Sequence, residues 1–198
     1  MPTQPYRLKS GERVPGVTTI LGRFKESGGL IYWANHLALD PLMKARHMAA
    51  EGSLTELAAF LTSADPDAWD HKKAAQKAAT AGTAAHDRFE SFIHGRKFDP
   101  SPYPPQALEM SLPPFEAACE WASQSKLEVV EMEVSLVSEK HRFGGTRDGV
   151  LVGGKRSIFD VKTSKSIYED MLCQLAAYAI LDEEQGNAVD GGFHLLRF

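Results

Sequence analysis

The sequence predicts an α/β protein with a helical region ahead of a core that mixes strands with one helix. Apolar residues recur at helical spacing through residues 1–125, and from Leu127 onward the pattern becomes alternating and rich in Val. The second half then reads strand, strand, strand, helix, strand, the order of an α/β core. With 198 residues and 43% hydrophobic content the chain can bury a core of its own. The expected organisation is one domain over 1–198, with 1–125 mainly helical and 126–198 the α/β core.

Each element has a local reason. "VTTILGRF" follows the Pro15-Gly16 break, and "GGLIYWANHLALDPLMKARHMAAEG" keeps helix-compatible spacing between glycine breaks. "DPDAWDHKKAAQKAATAGTAAHDRFESFIHGR" predicts a long helix, with Asp65 or Asp67 as cap, Pro66 in the first turn and Gly95 at the end. "DPSPYPP" is a stiff connector, after which "FEAACEWASQSK" predicts another helix. "LEVVEMEVSLVS" alternates as a strand should, and "GGTRDGVLV" and "RSIFDVKT" flank the turn "GGK". "YEDMLCQLAAYAILDEE" returns to helical spacing before a last strand, "GGFHLLRF".

Composition excludes several classes. No run approaches the ~18 apolar residues that cross a bilayer. The N-terminus "MPTQPYRLKSGERVPG" lacks the apolar stretch of a secretory signal, so a cytoplasmic protein with no membrane partner is expected. Two cysteines, Cys119 and Cys173, without metal-type spacing, build neither a zinc ribbon nor an iron-sulfur cluster. A net charge of -4 argues against coating nucleic acid by bulk electrostatics. Positive charge is nonetheless concentrated between Ser138 and Lys165, as a lysine-protected hairpin edge or a nucleic-acid contact would require.

The strand "RSIFDVKT" poses the chemical question. Residues two apart on a strand face one side about 7 Å apart, so Asp160 and Lys162 project together with Ile158, opposite Phe159 and Val161. A same-face salt bridge is one reading, and it is worth little. The apolar setting favours another, because a charge there is expensive unless something compensates it. Asp148 could lie in an Asp-Gly turn, but Gly153-Gly154 already supplies the turn and leaves Asp148 inside the preceding strand, across from Asp160. Two carboxylates with the carbonyl of Val161 between them suit a magnesium or manganese ion. Lys162 is then placed to orient a water or to face developing negative charge.

Four motifs surround this pair: G-T-x-x-H ending at His86, G-G-T-x-D ending at Asp148, D-x-K-T-S from Asp160 to Ser164, and Q-L-x-x-Y from Gln174 to Tyr178. Together they resemble the RecB-like branch of the PD-(D/E)XK nuclease superfamily, which includes phage exonucleases. The opening "RVPGVTTIL" and "LIYWA" are similar to the start of such proteins, with Gly16 where serine is common.

The resemblance implies a restriction-endonuclease-like core, a mixed central sheet flanked by helices. It implies His86, Asp148, Asp160 and the Val161 carbonyl as metal ligands, and Lys162 as the catalytic lysine beside Asp160 and Asp148. Glu133 would be a further catalytic carboxylate, behind the ligands or at a second ion. Gln174 and Tyr178 would position the lysine or the substrate strand, and Thr163 and Ser164 would bind phosphate or fix the strand end. The implied cofactor is one or two Mg2+ or Mn2+ ions, without an iron-sulfur cluster. The implied substrate is DNA with free ends or single strands, with replication or recombination proteins as partners. Rival readings are an inactive nucleic-acid-binding module of the same fold and a structure-selective endonuclease. The joint presence of His86, Asp148, Asp160 and Lys162 favours the enzyme.

Overall fold

The computed structural model describes residues 5–24, 28–63, 69–126, 128–164 and 166–197. Its helices are α1 (Val17–Phe24), α2 (Gly28–Ala50), α3 (Leu54–Ser63), α4 (His71–Ile93), α5 (Pro105–Met110), α6 (Leu112–Gln124) and α7 (Glu169–Glu184). Its strands are β1 (Glu128–Ser138), β2 (Phe143–Val152), β3 (Arg156–Lys162) and β4 (Gly192–Arg197). No helix among these residues is long and apolar enough to cross a membrane.

Packing divides the chain into two compact units, Met1–Lys25 with Gly82–Phe198, and Glu26–Ala81. The change from helices to strands near residue 125 is therefore not where packing divides it. The C-terminal half of α4 and all of α6 give Phe89, Ala118 and Trp121 to the core of the sheet.

In the larger unit the sheet runs β1-β2-β3-β4. β1, β2 and β3 pair antiparallel, and β4 returns parallel to β3 through α7. Alternation along β3 sends its side chains to two cores. Ile158 packs with Val17 of α1 and Leu175, Tyr178 and Leu181 of α7. Phe159 and Val161 pack with Phe89 of α4, Ala118 of α6, Leu151 and Leu196. The result is a four-stranded mixed sheet with helices on both faces. The turn after β2 reverses at Gly154, whose φ of 85° any β-carbon would disfavour, so Asp148 is left inside β2 as the sequence predicts.

The smaller unit contains α2, α3 and the start of α4. Pro41 lies within α2 without ending it. α3, which the periodicity did not single out, has no buried residue. Phe60 stacks on Trp69 with ring centroids 6.2 Å apart, and Lys44 Nζ lies 5.1 Å from the Phe60 ring.

Two helix boundaries differ from expectation. Asp65, Pro66 and Asp67 lie outside the described residues, and the cap of α4 is Asp70, whose Oδ1 accepts from the amides of Lys72 and Lys73 at 2.8 and 3.3 Å. Those hydrogen bonds hold its carboxyl below the usual range. The connector gives way to helix at Pro105, and α6 starts at Leu112, because prolines suit a first turn where the amide has no helical partner. Gly95 does end α4.

Phe159 is fully buried between β3 and α6, whereas Phe193 on β4 is 51% exposed. Phe159→Ala should lower unfolding free energy by about 3–5 kcal/mol, and Phe193→Ala by about 0.5 kcal/mol or less. Urea unfolding of the two variants checks both.

Candidate metal centre

Three elements deliver three ligand-type side chains to one place. His86 comes from α4, Glu133 from β1 and Asp148 from β2, and one ligand atom of each lies within 4.8 Å of the others. The His86 Nδ1 to Asp148 Oδ2 distance is 3.6 Å.

Gly82 brings the helix in. A β-carbon on Gly82 would stand 3.0 Å from Thr163 Oγ1, just beyond β3, so α4 passes close to the strand end and any side chain there would press on Thr163. His86 follows one turn later on the same helical side, which gives the G-T-x-x-H spacing its physical meaning.

Asp148 is fixed by a break in the ladder. Pairing of β2 with β3 ends at Gly149 and Phe159. Beyond it, the Val161 amide donates to Asp148 Oδ2 at 2.6 Å, so a side chain occupies the place of a strand partner. Val161, expected to offer its carbonyl, thus meets the cluster through its N–H.

Glu133 is turned by its backbone. Its φ is 51° in the middle of β1, while Met132 still pairs with Gly149 and Val134 with Arg147. Left-handed backbone costs an ordinary residue about 1–2 kcal/mol and persists only where neighbours impose it.

Asp160 stands just outside the triad and is fully buried. Lys162 Nζ lies 2.7 Å from its Oδ2. The contact is an ion pair with poor hydrogen-bond angles, and among the described residues no other donor reaches either carboxylate oxygen. Loss of water, then the charge of Asp148, pushes Asp160 up to about 6, against the pull of Lys162 and His86. Protein packed around Glu133, then the charges of Asp148, Glu90, Asp87 and Asp160, raises its carboxyl too. Glu133 nevertheless keeps a solvent-exposed surface, which screens part of that rise, and the upward direction is what bears on the chemistry.

The remaining predicted residues fall nearby or are committed elsewhere. Gln174 Nε2 donates to Tyr178 Oη at 2.6 Å. A β-carbon on Gly145 would lie 2.6 Å from Tyr178 Cε1, so glycine makes room for the ring. Burial raises the Tyr178 phenol and the charges of Asp160 and Asp148 add to it, while the Gln174 bond opposes them. Thr163 lies against Gly82, and the Ser164 hydroxyl donates to the Ser166 carbonyl at 2.8 Å.

Sequence reasoning passed over Asp87 and Glu90, whose charges reach Glu133. Their signal was positional, one and four residues after His86. It also passed over a buried ion network of Glu131, Arg147, Arg156 and Asp182. No periodicity marks these four as partners.

The donor set suits a hard divalent cation. It offers one imidazole and carboxylates held close enough to repel one another, with Asp160 Oδ1 buried and without a partner among the described residues. No protein-family model matches the chain, and no curated protein matches it.

The raised pKa of Asp160 sets a pH dependence. Stability from its protonated form is present below about 4 and is lost as pH rises through about 6. Metal-free protein should therefore melt at a lower temperature at pH 8 than at pH 5, and millimolar Mn2+ should restore the difference at pH 8. Thermal unfolding with and without the ion measures this, and Asp160→Asn should shrink the metal-free pH dependence, the raised carboxyl of Glu133 leaving the remainder.

Proposed function

We propose that this chain is a metal-dependent nuclease of the PD-(D/E)XK type that hydrolyses phosphodiester bonds of DNA. One observation carries the reading: the carboxylate of Asp160 is fully buried, its Oδ1 has no partner among the described residues, and the Lys162 ammonium stands 2.7 Å from its Oδ2. Beside this pair is a His–Glu–Asp triad, on a sheet whose second and third strands part at the site. A structural salt bridge gains nothing from extra acids around it, because they raise the energy of the charged carboxylate.

His86, Glu133, Asp148 and Asp160 would hold Mg2+ or Mn2+. The ion would supply Lewis acidity toward a phosphoryl oxygen and a more acidic water. Lys162 carries its positive charge beside Asp160, where it can hold the attacking water or face the phosphate as negative charge grows on it. Asp160 fixes that ammonium in direction. Tyr178 accepts from Gln174 and keeps its own proton, which leaves its O–H to donate toward the carboxylates or a phosphate oxygen. Thr163 and Ser164, which follow β3, would contact the adjoining phosphate. Preference for strand ends or single strands, and replication or recombination partners, rest on the sequence resemblance alone.

End-labelled linear DNA and closed circular DNA, each incubated with Mg2+, Mn2+ or EDTA, test the proposal. Linear substrate should shorten only with metal, and uncut circles would mark an exonuclease. Lys162→Ala and Asp160→Asn should each lower kcat by about 100-fold or more, with far-UV circular dichroism unchanged. Undiminished cleavage by either variant, or cleavage in EDTA, would refute the assignment. Metal-independent binding without shortening would favour the inactive module.

A further inference from the structure

Behind the candidate centre lies a second charged group with a different character. Arg147 is 1% exposed and Asp182 fully buried. Arg147 Nε donates to Asp182 Oδ2 at 2.6 Å, and its Nη2 donates to Glu131 Oε2. Arg156 donates to Glu131 Oε1 at 3.0 Å and to Asp182 Oδ1 at 3.1 Å. Two cations and two anions close a ring.

Each member is tied along the chain to a residue of the candidate site. Arg147 directly precedes Asp148 on β2. Glu131 lies two residues before Glu133 on β1, and Arg156 four before Asp160 on β3. Asp182 lies one turn after Tyr178 on α7. The ring therefore ties together the four elements that carry Asp148, Glu133, Asp160 and Tyr178.

Stability is a poor reason for such a ring. Arg147 Nη1 and Arg156 Nε are buried without hydrogen-bond partners among the described residues, and a buried ion pair is often matched or exceeded by apolar side chains of similar volume. What apolar side chains would lose is direction. The ladder between β1 and β2 is irregular between Val129 and Glu131, and two residues on, the backbone turns left-handed at Glu133. Glu131 is gripped by both arginines just before that turn, and Val134 pairs with Arg147 just after it. The turn is thus held on both sides by one side chain's residue.

We propose that Arg147, through its ring with Asp182, Glu131 and Arg156, is a positioning residue that imposes the left-handed backbone at Glu133 and sets Glu133 against Asp148 for cation binding. This inference rests on the metal-centre reading above. Arg147 reaches the candidate site through the backbone and touches no reacting atom.

The test is Mn2+ affinity by calorimetry, with thermal unfolding alongside, on wild type, on Arg147→Met combined with Asp182→Leu, and on Arg147→Lys. The apolar pair should stay folded with a melting temperature near wild type, while Mn2+ affinity falls about ten- to hundredfold. If that variant does not fold, Arg147→Lys decides: it keeps the charge, loses the planar fork, and should show the same loss. Wild-type Mn2+ affinity in either folded variant would overturn the proposal. Wild-type protein that binds no Mn2+ would remove the metal centre, and this inference with it.

Discussion

Carboxylates gathered where water is scarce repel one another, and a sheet can hold them only if positive charge is brought to the same place. Around β2 and β3 this protein has placed Asp148, Asp160 and Glu133 together, with Asp87 and Glu90 of α4 close enough for their fields to reach Glu133. Among the described residues, the Lys162 ammonium lies beside Asp160 and the His86 imidazole beside Asp148. That imbalance, together with burial, accounts for the raised carboxyls of Asp160 and Glu133.

The neighbouring ring of Arg147, Arg156, Glu131 and Asp182 shows the opposite solution to the same electrostatic problem. There, two guanidinium groups meet two carboxylates through several donated hydrogen bonds, and the charge closes on itself. Its charges balance without an outside ion, although Arg147 Nη1 and Arg156 Nε stay without partners among the described residues. An unbalanced network has charge left over for a ligand, and that difference marks the cluster at His86, Glu133 and Asp148 as the candidate site.

The scaffold makes the imbalance attainable through close approach. Gly82 allows α4 to rest against the end of β3, and Gly145 leaves room for the Tyr178 ring. The parting of β2 from β3 frees the Val161 amide for Asp148 instead of a strand partner. Each feature replaces a regular interaction with one aimed at the cluster. The two hydrophobic cores on either side of the sheet hold these departures in place.

What the sequence determined was whatever depends on near neighbours along the chain. Alternation in β1 to β3, helical spacing in α7, Gly95 as a stop and the same-side projection of Asp160 and Lys162 follow from backbone geometry, which repeats every 2 or 3.6 residues. Motif spacing also singled out His86, Asp148 and Asp160 without showing how they meet. Only the tertiary structure decided that Glu133 lies beside His86 and Asp148, and that the Val161 amide donates to Asp148. It alone paired Arg147 with Asp182, 35 residues away. These outcomes depend on a left-handed residue, a ladder that stops early and charges from distant segments, and local periodicity is blind to all three because packing between elements imposes them.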